Sequence, residues 1–207
     1  MTDSPVARHI LGSAFYEAET GTMYAFATNR TNADGSGNPG IVSVFSSADG
    51  MLTWAQRVVV DAVLAKLKFI FNTSVHRGKG GAQKYVMAIE SGLNGGCCGP
   101  ITFAQSRDLL SWEVLDLSLY SYGLHPAKYT GDPTVRYVAP YYYMMHSEQT
   151  NEGWVIGGTG YADFIVRSAN LSTWEESVCS PGRRGRCCHH ASPRSALYRE
   201  PLWMTVD

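Results

Sequence analysis

Short apolar and aromatic runs, each about the length of a strand and each closed by a cluster of Gly, Asn, Asp, Ser or Pro, cover most of the chain, and long helical periodicities are scarce. Three of the runs begin on a tyrosine: Tyr24-Ala25-Phe26-Ala27-Thr28-Asn29, Tyr85-Val86-Met87-Ala88-Ile89-Glu90 and Tyr141-Tyr142-Tyr143-Met144-Met145-His146. Three serine-led turns downstream end on a tryptophan: Ser47 to Trp54, Ser106 to Trp112 and Ser168 to Trp174. The tryptophans stand 58 and 62 residues apart, the tyrosines 61 and 56. Two markers keeping one period predict three copies of a single unit rather than three unrelated hairpins of a β-sandwich.

The third copy, Gly131 to Trp174, is the most complete. It opens with Gly131-Asp132-Pro133-Thr134-Val135-Arg136-Tyr137, placing a proline in a first strand where a missing N–H costs least, and turns at Ala139-Pro140 before the aromatic run. The second copy predicts four strands, at 71–75, 84–91, 101–105 and 112–115. A four-stranded unit repeated in this way predicts an all-β fold, a β-propeller whose blades run from an inner strand to an outer strand starting at the tryptophan. Asn72 and Asp132 then share one place, the start of the innermost strand, where propellers gather side chains at a mouth of the central channel. The predicted organisation is an N-terminal segment over 1–11, blades over 12–176 (12–60, 71–116 and 131–176), and an irregular basic tail over 177–207.

Composition supports this picture and removes some alternatives. At 207 residues with 44% hydrophobic and 17% charged, the chain can bury a sizeable core and is not a disordered sequence. Its net charge of −1 gives no electrostatic reason to bind nucleic acid or an anionic membrane surface. No apolar run approaches the roughly 20 residues of a membrane-spanning helix, and the N-terminus carries no apolar signal core. A cytoplasmic chain is the expectation, or a secreted one if the natural start lies further upstream. The adjacent Cys97-Cys98 and the string Cys187-Cys188-His189-His190 lack the ligand spacing of a zinc site, so no metal or cofactor is expected. His76-Arg77-Gly78-Lys79-Gly80-Gly81 lacks the full phosphate-loop pattern and reads as a hairpin turn. The segment 61–70 reads as a blade connection.

The inner-strand Asp132-Pro133 ahead of an aromatic second strand, with Ser106-Arg107-Asp108-Leu109 to Trp112 and Ser168 to Trp174 as closures, resembles the five-bladed propeller glycoside hydrolases of families 43 and 32 and their relatives. The resemblance covers roughly residues 12 to 176. It implies carboxylates from different blades converging on a sugar at the channel mouth: one acid protonates the leaving oxygen, and a second carboxylate activates water or attacks the anomeric carbon. Three blades are fewer than a closed propeller carries. A partial propeller is therefore expected, or one that closes by self-association.

Asp132 matches the Asp-Pro motif, although Gly131 stands where family 32 prefers arginine, and it is the leading catalytic candidate. Asn72 orients a hydroxyl but cannot act as a base. Glu90 and His146 are expected at one equivalent position on the second strand, with Glu148 just beyond; Glu90 and Glu148 are the fallback acids. Asn72, Arg136, Tyr137 and His146 are the substrate-binding candidates, with Trp154 as a further flat face. The resemblance thus implies a glycoside hydrolase acting on carbohydrate. The alternatives are a non-catalytic binding propeller, suggested by the Asn72 substitution and the blade count, and a sialidase-like propeller. The last rests on Ser47 to Trp54, which is similar to the sialidase Asp box except that Met51 replaces its glycine.

Overall fold

The computed structural model describes residues 9–29, 40–92, 101–115, 130–150 and 160–179. Among these residues twelve strands form three four-stranded antiparallel sheets in simple up-and-down order. The first blade holds β1 (Ile10–Glu17), β2 (Thr22–Asn29), β3 (Ile41–Ser47) and β4 (Ala55–Asp61). The second holds β5 (Phe69–Gly80), β6 (Gln83–Gly92), β7 (Ile101–Ser106) and β8 (Trp112–Val114). The third holds β9 (Thr130–Val138), β10 (Tyr141–Thr150), β11 (Gly160–Ser168) and β12 (Glu175–Cys179). Asp61 ends β4 and starts the connection between the first two blades: its Oδ1 accepts the N–H groups of Val63 and Leu64 in the turn that follows. The run from His76 to Gly80 continues β5, and the turn falls at Gly81-Ala82, one step later than the sequence suggests.

The innermost strands β1, β5 and β9 lie side by side and are tied by hydroxyls. Ser13 Oγ accepts the Val75 N–H at 3.1 Å, and Ser74 Oγ accepts the Val135 N–H at 3.2 Å. Between the first and second blades, Tyr24, Phe26, Val42 and Val44 pack on Val75, Tyr85, Met87 and Ile89. Between the second and third, Val86, Ala88, Ile101 and Phe103 pack on Val135, Tyr142, Met144 and Val166. Burial of each such side chain stabilises the fold by about 1.5–3 kcal/mol, so the two blade interfaces are the cores of the molecule.

Each closing turn is built the same way. In the first, Asp49 Oδ1 accepts the N–H groups of Leu52 and Thr53 while Ser47 Oγ accepts that of Met51. In the second, Asp108 Oδ1 accepts those of Leu110 and Ser111, and in the third Asn170 Oδ1 accepts those of Ser172 and Thr173. The Thr53 hydroxyl, which donates to Asp49 Oδ2, holds Asp49 well below the ordinary aspartate range, helped by the Thr53 N–H, the Ser47 hydroxyl and the Leu52 N–H. Burial works to raise Asp108, yet the bonds from Leu110, Ser111 and Ser106 outweigh it and the net shift is downward. The closing tryptophans serve structure: Trp112 Nε1 donates to the Leu109 carbonyl and its ring meets Phe26 of the preceding blade edge-on, and Trp174 stacks on Phe103.

Register corrects the alignment of the second strands by one residue. Met23, Tyr85 and Tyr142 sit opposite Ser47, Ser106 and Ser168, so Tyr85 corresponds to Tyr142 and not to Tyr141. A one-residue slip exchanges faces. Glu90 accordingly faces the third blade, whereas His146 faces back toward the second and corresponds to Ile89; Glu90 corresponds to Ser147.

Candidate functional site

Each inner strand carries an irregularity near its start that re-aims the side chains there. Leu11 is extra against β2, Phe71-Asn72 face the single residue Glu90, and Asp132-Pro133 face the single residue His146. Asp132 takes a left-handed conformation, φ 51°, which aspartate tolerates better than most residues. Pro133 removes no ladder bond that a neighbour needs, because β9 is the edge of its sheet. Glycine is required at Gly12, where a Cβ would lie 1.7 Å from the Phe26 carbonyl oxygen.

These irregularities bring Asn72 and Asp132 together across the blade boundary. Asn72 Nδ2 donates to Asp132 Oδ1 at 2.5 Å and to Glu90 Oε2 at 2.8 Å, and Glu90 Oε2 also accepts the Asp132 backbone N–H at 3.0 Å. One amide therefore bridges two carboxylates. Asp132 is exposed and Glu90 is buried. Glu90 thus underlies the mouth and fixes both residues above it.

A cavity of about 270 Å³ opens here, walled by Gly12 to Ala14 of β1, Asn72 to Val75 of β5, and Asp132 to Thr134 with Arg136 of β9. A larger cleft of about 660 Å³ lies between the outer parts of the first and second blades and is lined by residues such as Val59, Leu64, Trp112 and Leu115, remote from the carboxylates. Thr73 lines the mouth cavity, and its buried hydroxyl has no hydrogen-bond partner among the described residues.

The other candidates are distributed as follows. Arg136 is exposed in the mouth and donates to the Val135 carbonyl at 2.9 Å. Tyr137 packs against the Tyr142 ring, centroids 4.8 Å apart, and does not line the cavity. His146 and Glu148 are both buried on β10 and hydrogen-bonded to one another at 2.8 Å, with the His146 ring stacked on Phe164. They form an internal pair outside the described lining of the mouth cavity. Trp154 and the paired cysteines lie outside the described residues. Among the described residues no group of three or more His, Cys, Asp or Glu side chains gathers as a metal site.

Two features escaped the sequence reading. Ser13, Ser74 and Thr134 place a hydroxyl at one position of every inner strand, and their spacing keeps the period of the repeat. His76 stands behind the mouth, its Nδ1 2.9 Å from the Arg77 carbonyl. Burial lowers its pKa below the ordinary histidine value; that hydrogen bond opposes the shift, and the charges of Arg136 and Arg77 add to it.

No protein-family model matches the sequence, and no curated protein matches it. Solved structures do match the fold. A glycoside hydrolase superposes with a TM-score of 0.62 at 13% identity, covering 81% of this chain and 53% of that one. The alpha-L-arabinanase of Penicillium chrysogenum complexed with arabinobiose matches at 0.60 and 17% identity, covering 86% and 51%. The GH32 beta-fructofuranosidase of Bombyx mori matches at 0.61 and 14%, covering 84% and 35%. The chain thus spans about half the length of the first two. Its fold is that of the five-bladed β-propeller glycoside hydrolases, represented by three blades among the described residues.

Proposed function

We propose that the chain is the carbohydrate-recognising part of a glycoside-hydrolase-type propeller, which binds a sugar at the mouth between β1, β5 and β9. The observation that carries the reading is the Asn72 amide joined to both Asp132 and Glu90 beside an open, polar cavity. Asp132 is the carboxylate that meets the ligand, Asn72 holds it in place, and Arg136 supplies a fixed donor set. A sugar hydroxyl would also satisfy the Thr73 hydroxyl.

Cleavage of a glycosidic bond needs two carboxyl groups acting in turn on the leaving oxygen and the anomeric carbon. Asp132 is the one carboxylate in the described lining of the cavity. Binding is therefore what these residues support by themselves, and hydrolysis follows where the working protein brings a second carboxyl group to the same mouth. This favours recognition over a self-sufficient hydrolase. A sialidase reading has less behind it: the bonds inside Ser47 to Trp54 recur at Ser106 and Ser168 as a turn device, and Arg136 is the one arginine in the described lining, too few for a substrate-carboxylate clamp.

The test is calorimetric titration of the purified chain with arabinose- and fructose-containing oligosaccharides, together with an assay of reducing-sugar release. One series binds the wild type, and Asp132→Asn weakens that binding about tenfold, equivalent to about 1.4 kcal/mol, with the melting temperature unchanged. Equal affinity of Asp132→Asn and wild type, or no binding by either, would sink the reading.

A further inference from the structure

Three stretches of the sequence carry the acceptor pattern for N-linked glycans, an asparagine followed two residues later by serine or threonine: Asn29-Arg30-Thr31, Asn72-Thr73-Ser74 and Asn170-Leu171-Ser172. A pattern this short arises readily by chance. What each amide and each downstream hydroxyl does in the fold separates the three, because a glycan needs an unengaged amide nitrogen, an accessible hydroxyl for the transferase to read, and room outside the protein.

Asn72 meets none of these needs. Its Nδ2 donates to Asp132 and Glu90, Thr73 and Ser74 are buried, and Ser74 Oγ accepts the Val135 N–H across the blade boundary. A glycan on Asn72 would dismantle the mouth. Asn29 ends β2, and Arg30 and Thr31 lie outside the described residues.

Asn170 is arranged in the opposite way. Its Oδ1 accepts the Ser172 N–H at 3.0 Å, the Thr173 N–H at 2.9 Å and the Ser168 hydroxyl at 3.1 Å. Three donors on one atom fix which end of the amide is oxygen. Nδ2 is the end left over, and it has no hydrogen-bond partner among the described residues. Both Asn170 and Ser172 are exposed, and Ser172 contributes only its N–H to the turn, so its hydroxyl is unengaged. The turn itself needs no more than an acceptor oxygen, since Asp49 and Asp108 do the same work in the first two closures. Asparagine in the third therefore adds an exposed amide and leaves the turn unchanged. Asp108 is exposed although the third blade packs on the second, so this place in a blade stays open when a neighbour follows.

We propose that Asn170 is the acceptor for an N-linked oligosaccharide. In the transfer its nitrogen attacks the anomeric carbon of an oligosaccharide carried on a lipid diphosphate. The C–N bond forms, the bond from that carbon to the diphosphate oxygen breaks, the lipid diphosphate departs, and the amide proton passes to a base of the transferase. The acceptor lies in the turn between β11 and the outer strand β12, whereas the mouth is walled by the inner strands, so the glycan leaves the mouth open. The assignment is independent of what the mouth binds.

The test is expression of the full chain behind a cleavable secretory leader in a eukaryotic host, with Asn29→Gln removing the first acceptor pattern. Folded protein pooled from medium and lysate should be heavier than its sequence, and peptide-N-glycosidase should return it to the bare mass. That enzyme leaves aspartate where a glycan was attached, so peptide mass spectrometry should find the conversion at position 170 and none at position 72. Asn170→Asp and Ser172→Ala should each abolish the added mass. Asn170→Asp keeps the acceptor oxygen that the first two turns use, so its melting temperature should equal that of the deglycosylated parent. If it melts lower, Ser172→Ala decides alone, because it leaves the Asn170 amide and both N–H donors in place. A parent chain at bare mass overturns the proposal, as does added mass that survives Ser172→Ala or a conversion at position 72 in the folded protein.

Discussion

Asn72 decides what the mouth can do, because a carboxamide gives one nitrogen two hydrogens and so lets a single side chain hold two carboxylates at once. An aspartate at that position would face Asp132 as a like charge and could not donate. The same scale governs His76. Its pKa in the fold lies below the value of about 6.5 expected of an unfolded chain, mainly through burial, with Arg136 and Arg77 contributing. Between the two values the unfolded chain binds the additional proton, so stability rises with pH there. The contribution is complete above about 6.5 and is lost as the pH falls through the lowered folded value. Urea midpoints measured from pH 8 down to pH 5.5 should therefore decline for the wild type in the lower part of the range, and His76→Gln should flatten the decline. Equal slopes for the two proteins would show that another group carries the pH dependence.

At the level of single elements, the closing turns separate conformation from packing. Met51, Leu109 and Leu171 all take left-handed φ values, 69°, 66° and 64°. Such a conformation costs an ordinary L-residue roughly 1–2 kcal/mol and glycine almost nothing. Met51 is exposed, whereas Leu109 and Leu171 are buried in the blade interfaces. Met51→Gly should raise unfolding stability by about 0.5–1 kcal/mol, the relief being partly offset by the greater freedom of glycine in the unfolded chain. Leu109→Gly should lower it by about 2–5 kcal/mol through loss of buried surface. Chemical denaturation of both variants checks the opposite signs, and a destabilised Met51→Gly would mean the Met51 side chain contributes packing of its own. The turns also show what was legible in advance. Serine, aspartate and tryptophan announce the closures because each makes a local bond the turn requires, so the sequence marks them directly. The second strands are harder to read. Tyrosine occurs on both of their faces, at Tyr24 and Tyr143 as well as Tyr85 and Tyr142, so aromatic content locates the strand without fixing its register. The expected equivalence of Glu90 and His146 failed on that single-residue ambiguity. The pairing of Asn72 with Asp132 was legible because both stand one period apart at a strand start, while the partnership with Glu90 depends on a bulge that composition does not announce.

Across the whole molecule, stability is set by contacts between neighbouring blades. The second blade is covered on both faces, by the first blade and by the third, and Val86 to Ile89 of β6 are wholly buried. Among the described residues the third blade is packed against a neighbouring blade on one face, with Met145 and Ile165 exposed on the other. Local opening follows the number of covering neighbours, since amides exchange through whichever unit detaches most readily. Hydrogen exchange at concentrations where the chain is monomeric should find the amides of Val86 to Ile89 the slowest and those of β10 and β11 distinctly faster. Phe103→Ala tests whether the third blade detaches as a unit. Phe103 belongs to the interface between the second and third blades and stacks on Trp174, with no part in the interface between the first and second. Its truncation, costing about 3–5 kcal/mol, should accelerate exchange in β10 and β11 while leaving β2 and β3 close to wild type. Equal acceleration in all three blades would instead make the arc one cooperative unit, and the open third face would then be held by coupling that reaches beyond its nearest neighbour.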